Sequence, residues 1–336
     1  MKKATSVIAV FAVMLLAAFV VYDATQGKPA TCNFFAMNTY VSAEIEGKEA
    51  EDTASNIREI IDSLDLCVLS RTEEASVISD LNKTGEAELE ATIANYFSLL
   101  LDVCRKSGGA FDFTLGAVSD LWNFGGTPSI PDKDKLTEAL SHSGYEKISL
   151  SNGRITMADK AAVIDFGASG KGIALDSVKA YLDSCETERA VVSVGGSVLL
   201  YGEGDFTVGI RNPKGDSGSS IAKLTIPEGC VSTSGSYEQS FEENGKKYHH
   251  ILDPKTGYPV DNGIVSATVI SESGLLSDAL STACFVLGIE KGFELAEEYG
   301  ATVIFITEDN SVYTRGSDTD YIELLDKNFS VYNNTL

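Results

Sequence analysis

Ile164-Asp165-Phe166-Gly167-Ala168-Ser169-Gly170-Lys171-Gly172-Ile173-Ala174 is the stretch that organises the rest of the chain. Ala162 to Asp165 is apolar and branched, which predicts a strand. Glycines 167, 170 and 172 interrupt it, and Gly172 to Cys185 resumes with helical spacing. A strand that enters a helix through a glycine-rich turn gathers backbone amides at a helix N-terminus, where an anion is favoured. Lys171 adds a positive charge there. The stretch is not GxxxxGK[ST], because Gly172 follows the lysine, and it is not GxGxxG. A phosphate cradle and a plain tight turn both fit it.

Outward from this turn, strands and helices are interspersed. Phe35 to Ile45 alternates apolar and polar residues and predicts a strand. Ala50 to Leu66 places Ile57, Ile60, Ile61 and Leu64 on one helical face. Thr92 to Ser107 predicts a second helix, stopped by Gly108-Gly109. Phe111 to Phe124, with the single Trp122, predicts a helical segment, and a short helix ends near Ser143. Short strands are expected near Lys147 to Leu150, Arg154 to Met157, Ala190 to Val194, Val198 to Tyr201, Asp205 to Ile210 and Ile221 to Ile226. Gly274 to Leu287 and Lys291 to Tyr299 predict helices, and Thr302 to Thr307 with Ser311 to Thr314 a hairpin. This order lacks strict βαβ repetition and predicts an α+β fold. No repeat or linker divides residues 30–336, which are expected to form one domain.

The 336 residues carry 26 Lys plus Arg against 49 Asp plus Glu, a formal charge of −23. That balance argues against a nucleic-acid partner held by a basic face. It also means that an anionic substrate would need locally concentrated positive charge. Lys2 and Lys3 precede the almost wholly apolar run Val7 to Tyr22. Residues 1–29 are therefore expected to be a signal sequence or membrane anchor, with the remainder on the extracytoplasmic side. The six cysteines, at 32, 67, 104, 185, 230 and 284, form no CxxC or CxH pattern, so a zinc site is not expected. Cys67, Cys104 and Cys284 lie in apolar periodic segments and read as buried small hydrophobes.

Four further stretches crowd polar residues at the ends of apolar runs. In Ser277-Asp278-Ala279-Leu280-Ser281-Thr282, Asp278 and Thr282 share one helical face. A carboxylate and a hydroxyl suit Mg²⁺; a helix cap and a hydroxyl bonded back to a carbonyl explain the same residues. In Tyr248-His249-His250-Ile251-Leu252-Asp253-Pro254-Lys255-Thr256-Gly257-Tyr258-Pro259, two adjacent histidines precede a turn, and on a strand only one of them can face a given site. Ser232-Thr233-Ser234-Gly235-Ser236-Tyr237 offers hydroxyls to a ligand or forms a polar turn. Gly108 to Thr114, with Leu121 to Gly125, sets aromatics beside a glycine turn, either lining a flat ring or filling core.

Taken together and in this order, these pieces resemble the ApbE-type flavin transferases, FAD:protein FMN transferases. The matching segments are Ala36-Met37-Asn38-Thr39, Leu69-Ser70 with Ser76 to Asn82, Gly109 to Gly125, Asp165 to Asp176, Val194-Gly195-Gly196, Gly209 to Pro213, Thr233-Ser234-Gly235 with Tyr237, His250 to Pro259, and Asp278 to Thr282. The resemblance implies a single α+β domain related to the T-fold and a Mg²⁺-dependent reaction. In that reaction FAD is split at its pyrophosphate, FMN passes to a Thr or Ser hydroxyl of a partner protein, and AMP leaves. Carried over, Asp278 and Thr282 would be Mg²⁺ ligands with the main-chain oxygen of Ala168, and Ser281 would contribute behind them. Met37, Asn38, Arg71, Ala110-Phe111-Asp112, Asp165, Lys171, Ser234, Tyr237, His250 and Leu252 would bind FAD. Asn38 stands where the family often has Gly or Asp. Arg71 replaces an aromatic that often stacks on the adenine, a contact that a guanidinium can also make. His250 is expected to take the proton from the attacking hydroxyl, with Asp253 as the second candidate.

The resemblance also implies acceptor flavoproteins carrying Asp-x-x-Ser/Thr-Gly-Ala/Ser-Thr, such as Rnf/Nqr-type subunits or exported FMN-binding domains. This chain contains no such motif. The alternatives are an FAD pyrophosphatase, if water attacks in place of a protein hydroxyl, and a non-catalytic FAD-binding protein.

Overall fold

A computed structural model describes residues 28–216, 218–316 and 322–333. The apolar run Val7 to Tyr22 lies outside these residues. Among the described residues, no helix is long and apolar enough to cross a membrane.

The strands are β1 Ala30–Ala36, β2 Thr39–Gly47, β3 Glu86–Glu88, β4 Ile148–Ser151, β5 Arg154–Met157, β6 Thr187–Val194, β7 Ser197–Gly202, β8 Phe206–Arg211, β9 Ser220–Ile226, β10 Gly229–Gly235, β11 Ser240–Glu243, β12 Lys246–His249, β13 Ile264–Ser271, β14 Thr302–Thr307, β15 Ser311–Arg315, β16 Ile322–Leu324 and β17 Ser330–Asn333. The helices are α1 Ala50–Leu64, α2 Val77–Thr84, α3 Ala91–Lys106, α4 Gly116–Trp122, α5 Lys133–His142, α6 Gly170–Leu182, α7 Gly274–Leu287 and α8 Ile289–Glu298.

Nine strands form the main sheet in the order β1-β2-β6-β7-β10-β13-β14-β15-β17. Pairing is antiparallel apart from β15 with β17, and helices interrupt the strand order, so the α+β expectation is met. On one face, α1 and α6 lay Ile57, Ile61, Leu175 and Val178 against Val41, Ile45, Val192 and Val194. Beside them α3, α7 and α8 build the largest core around Phe97, Phe285, Phe293 and Phe305. The other face is covered by the small sheet β16-β9-β8, through Ile210, Ile221 and Leu224 against Leu200, Ile304 and Ile306. The central strand β13 is buried on both faces at every residue but its last, which is why its sequence shows little alternation.

Several expectations change. Phe35 to Ile45 is not one strand: Met37 and Asn38 adopt φ of 52° and 56° and turn the chain into the β1–β2 hairpin. A tight primed turn needs two positive φ angles, and only Asn38 signals one. Ala162 to Asp165 makes a single bridge, Val163 with Leu115, in place of a strand. Helix in the segment Phe111 to Phe124 is confined to α4. Ser232 to Ser234 form no polar turn; they lie inside β10, in mid-sheet. Cys67 is exposed, whereas Cys104, Cys230 and Cys284 are buried, and all six thiols are free.

Candidate active site

The glycine-rich turn ends at α6, and α7 crosses α6 next to it. The crossing is close because both helices carry glycine at the contact. A Cβ on Gly172 would collide with the Gly274 carbonyl, and one on Gly274 would meet the Gly172 carbonyl. This approach lets Asp278, one turn along α7, reach the start of α6. Its Oδ2 accepts from the Gly172 amide at 3.0 Å, and its Oδ1 accepts from Ser197 Oγ at 3.2 Å and lies 3.8 Å from Lys171 Nζ. Asp278 is 4% exposed. A carboxylate so deep is tolerated because an amide at a helix N-terminus, a hydroxyl and an ammonium surround it.

Ser281 and Thr282 follow on the same helix. Ser281 Oγ donates to the Asp278 carbonyl at 2.8 Å. Ser234, reaching across from β10, lies 2.8 Å from Ser281 Oγ and 3.0 Å from Thr282 Oγ1. Asp278, Ser281, Thr282, Ser234 and Lys171 thus meet at one place. Ala168 immediately precedes Ser169, the residue that opens α6.

The chemistry of this donor set suits a hard divalent cation, since it is built of carboxylate, hydroxyl and carbonyl oxygens. Among the described residues no group of three or more His, Cys, Asp or Glu could hold a metal, so a site here would rest on one carboxylate supported by neutral oxygens. Ser169 supports the fit. It caps α6, is fully buried, and its hydroxyl has no hydrogen-bond partner. A capping serine ordinarily accepts from the second or third helical amide; here the third, Gly172, is given to Asp278. An unsatisfied buried hydroxyl therefore stands at the N-cap position of α6, three residues before the amide that Asp278 takes.

Around it lie the other predicted residues. The Met37 amide donates to Asp65 at 2.6 Å, and Met37 Cε stands 3.3 Å from where a Gly170 side chain would begin. Asn38 completes the turn. Arg71 is held edge-on by Asp120 at 2.8 and 2.6 Å and by Asp165 at 3.2 Å. Asp165 also accepts from the Gly167 amide at 2.8 Å, closing the glycine turn on itself. The Asp165 amide in turn donates to Phe113, which ties the Ala110-Phe111-Asp112 loop to the site. Asp112 is committed to that loop: it accepts from the Thr114 amide and hydroxyl and from the Tyr145 amide. Burial raises its pKa.

The two histidines diverge as strand geometry requires. His249 is buried: its Nε2 lies 2.9 Å from the Val260 carbonyl, its Nδ1 accepts from the Ile251 amide, and its ring meets Phe285 edge-on. The Nδ1 of His250 lies 3.4 Å from the Gln239 carbonyl. Burial first, and the Lys171 charge second, push its pKa down to about 4. Leu252 packs into the cluster of Trp122, Val118 and Leu136. Asp253 closes the following turn, accepting from the Lys255 amide at 2.9 Å and the Thr256 hydroxyl at 3.4 Å, so its carboxylate is occupied locally. Tyr237 lies against Gly235, with the Arg211 guanidinium 5.1 Å above its ring; burial lifts its pKa to about 12. Sequence reasoning missed Asp65, Asp120 and Ser197, whose partners are 28 to 81 residues away.

The model of the ApbE family matches residues 37–305 of this chain. The chain belongs to the ApbE family. It is 33% identical over 286 residues to the FAD:protein FMN transferase of Treponema pallidum, covering 78% of this chain and 79% of that one. It is 32% identical over 291 residues to the FAD:protein FMN transferase of Klebsiella pneumoniae, covering 84% and 90%. The crystal structure of the ApbE protein from Thermotoga maritima superposes with a TM-score of 0.78 at 29% identity, covering 87% of this ApbE-family chain and 98% of that one. Its curated relatives are transferases, and this chain is an enzyme of that class.

Proposed function

We propose that this chain splits FAD and transfers FMN to a Thr or Ser hydroxyl of an acceptor protein, releasing AMP, with Mg²⁺ held by Asp278, Thr282 and the Ala168 carbonyl. The observation that carries this reading is the convergence of Asp278, Thr282, Ser281 and Lys171 on the N-terminus of α6. Mg²⁺ bound there supplies charge neutralisation for the pyrophosphate and the departing phosphate. Lys171 and the first amides of α6 add to this through fixed positive charge. In so acidic a chain, Lys171 and the helix N-terminus put positive charge where an anion would sit. Arg71, gripped at its edges, keeps a guanidinium face for stacking on a ring. His250, neutral at ordinary pH, is in the form that accepts a proton from the incoming hydroxyl. The acceptor segment carries Asp-x-x-Ser/Thr-Gly-Ala/Ser-Thr, and the apolar run Val7 to Tyr22 supports a reaction at the outer face of the membrane.

The test combines the protein, FAD and Mg²⁺ with an acceptor domain carrying that motif, and records acceptor mass and AMP release. A covalent gain of one FMN less water, abolished by EDTA and by D278A, is the expected result. AMP and free FMN with an unmodified acceptor would establish a pyrophosphatase. FAD bound without either product would establish a binding protein.

A further inference from the structure

The two helices at the site repeat one short pattern. On α6 it is Gly172-Ile173-Ala174-Leu175-Asp176, and on α7 it is Gly274-Leu275-Leu276-Ser277-Asp278. The glycines touch where the helices cross. Each aspartate then reaches the opposite helix. Asp278 accepts from the Gly172 amide at 3.0 Å, and Asp176 accepts from the Gly274 amide at 2.5 Å. Asp176 Oδ2 also takes the Leu275 amide at 3.0 Å and Ser273 Oγ at 2.8 Å. The contacts are reciprocal: each helix has its N-terminal amides capped by a carboxylate from the other.

The two halves face different surroundings. Asp278 is turned to Lys171, Ser197 and the hydroxyl cluster. Asp176 accepts its hydrogen bonds from the start of α7, and burial raises its pKa against those bonds and the Lys179 charge. Removing it would leave Gly274 and Leu275 amides without an acceptor and free α7 to slide or rotate on the glycine contact. Such motion would carry Asp278 and Thr282 with it, since both lie on α7, about one and just over two turns from Gly274.

We propose that Asp176 is a positioning residue that fixes the α6–α7 crossing and thereby holds Asp278 and Thr282 in cation-binding geometry. The inference rests on the metal site of the proposed function and adds a residue that touches neither metal nor flavin.

The experiment compares wild type, D176N, D176A and D278A in the full chain. Mg²⁺ dissociation constants are measured by calorimetry, metal-free FAD binding by flavin fluorescence, and Gly172 amide exchange by hydrogen–deuterium mass spectrometry without metal. D176N keeps one acceptor oxygen and is expected to fold. It should weaken Mg²⁺ binding about tenfold or more, the usual cost of losing a residue that orients a metal ligand. Metal-free FAD binding should stay within about twofold, because the proposal leaves the flavin contacts in place. The Gly172 amide should exchange faster, and saturating Mg²⁺ should restore most of kcat. Wild-type Mg²⁺ affinity in D176N, with only a lower Tm, would reduce Asp176 to a structural cap and overturn the proposal. If D176A does not fold, D176N decides. If D278A itself keeps wild-type Mg²⁺ affinity, the metal site fails and the proposal falls with it; if D278A loses Mg²⁺ and D176N does not, the proposal alone falls.

Discussion

Asp278 satisfies three neighbours at once: the Gly172 amide, Ser197 and Lys171. In D278A the amide and the hydroxyl lose a buried acceptor, at about 1–3 kcal/mol. Denaturant titration should show that loss, and FMN transfer should vanish with it. His250 gives a pH prediction with a definite sign. Its folded pKa is pushed down to about 4, against about 6.5 in an unfolded chain. Between these values the unfolded state binds more protons, so stability falls as pH drops from 6.5 to 4. His249, whose pKa burial also lowers, acts in the same direction. H250Q should flatten this part of the stability–pH curve measured by urea titration, and an unchanged slope would show that His250 does not carry it. Asp278, Thr282 and Lys171 were legible only through the order of the motifs along the chain, because each pair taken alone also reads as a helix cap or a tight turn. The work of Asp253 was not: the same Asp-Pro-x-Thr-Gly pattern that marks the motif also closes its own turn.

At the scale of elements, the α6–α7 crossing depends on glycine. G172A would drive a methyl into the Gly274 carbonyl and towards Asp278. Backbone cannot move aside as a side chain can, so the cost is expected at the upper end of the about 1–3 kcal/mol for overpacking. Thermal unfolding of G172A should show this, with Mg²⁺ binding weakened because Asp278 loses its place. A different case is the β1–β2 turn. Met37 holds a left-handed φ that costs a side-chain-bearing residue about 1–3 kcal/mol, offset by its amide bond to Asp65. D65A should remove that bond and raise deuterium exchange at residues 36–39; unchanged exchange would mean that the turn holds itself. Helices were predicted well because 3.6-residue periodicity is local. The strands β10 and β13 escaped, the first because Ser232 and Ser234 turn inward to meet α7, the second because both its faces are covered.

Across the whole molecule, the charge of −23 sits on a surface with few cations to offset it. Screening relieves such self-repulsion, so Tm should rise between low and moderate NaCl; a fall would show that particular ion pairs outweigh net charge. Thiol accessibility tests the packing. Cys67 is exposed, whereas Cys104, Cys230 and Cys284 are buried, and burial raises the Cys284 pKa to about 12. A thiol reagent should label Cys67 at once and those three only on unfolding.

The sequence by itself determined the α+β class, most helix positions and the acidic balance, because each is written in spacing or composition, and the order of its motifs marked the residues of the site. The tertiary structure decided the strand order, the hairpin at Met37–Asn38, which histidine is buried in the core, and the exchange of carboxylates between α6 and α7. These depend on contacts between segments far apart in the chain, such as Val41 with Val194 and Gly172 with Asp278. Their partners are selected by how helices and sheet close around one core, and no local pattern records that choice.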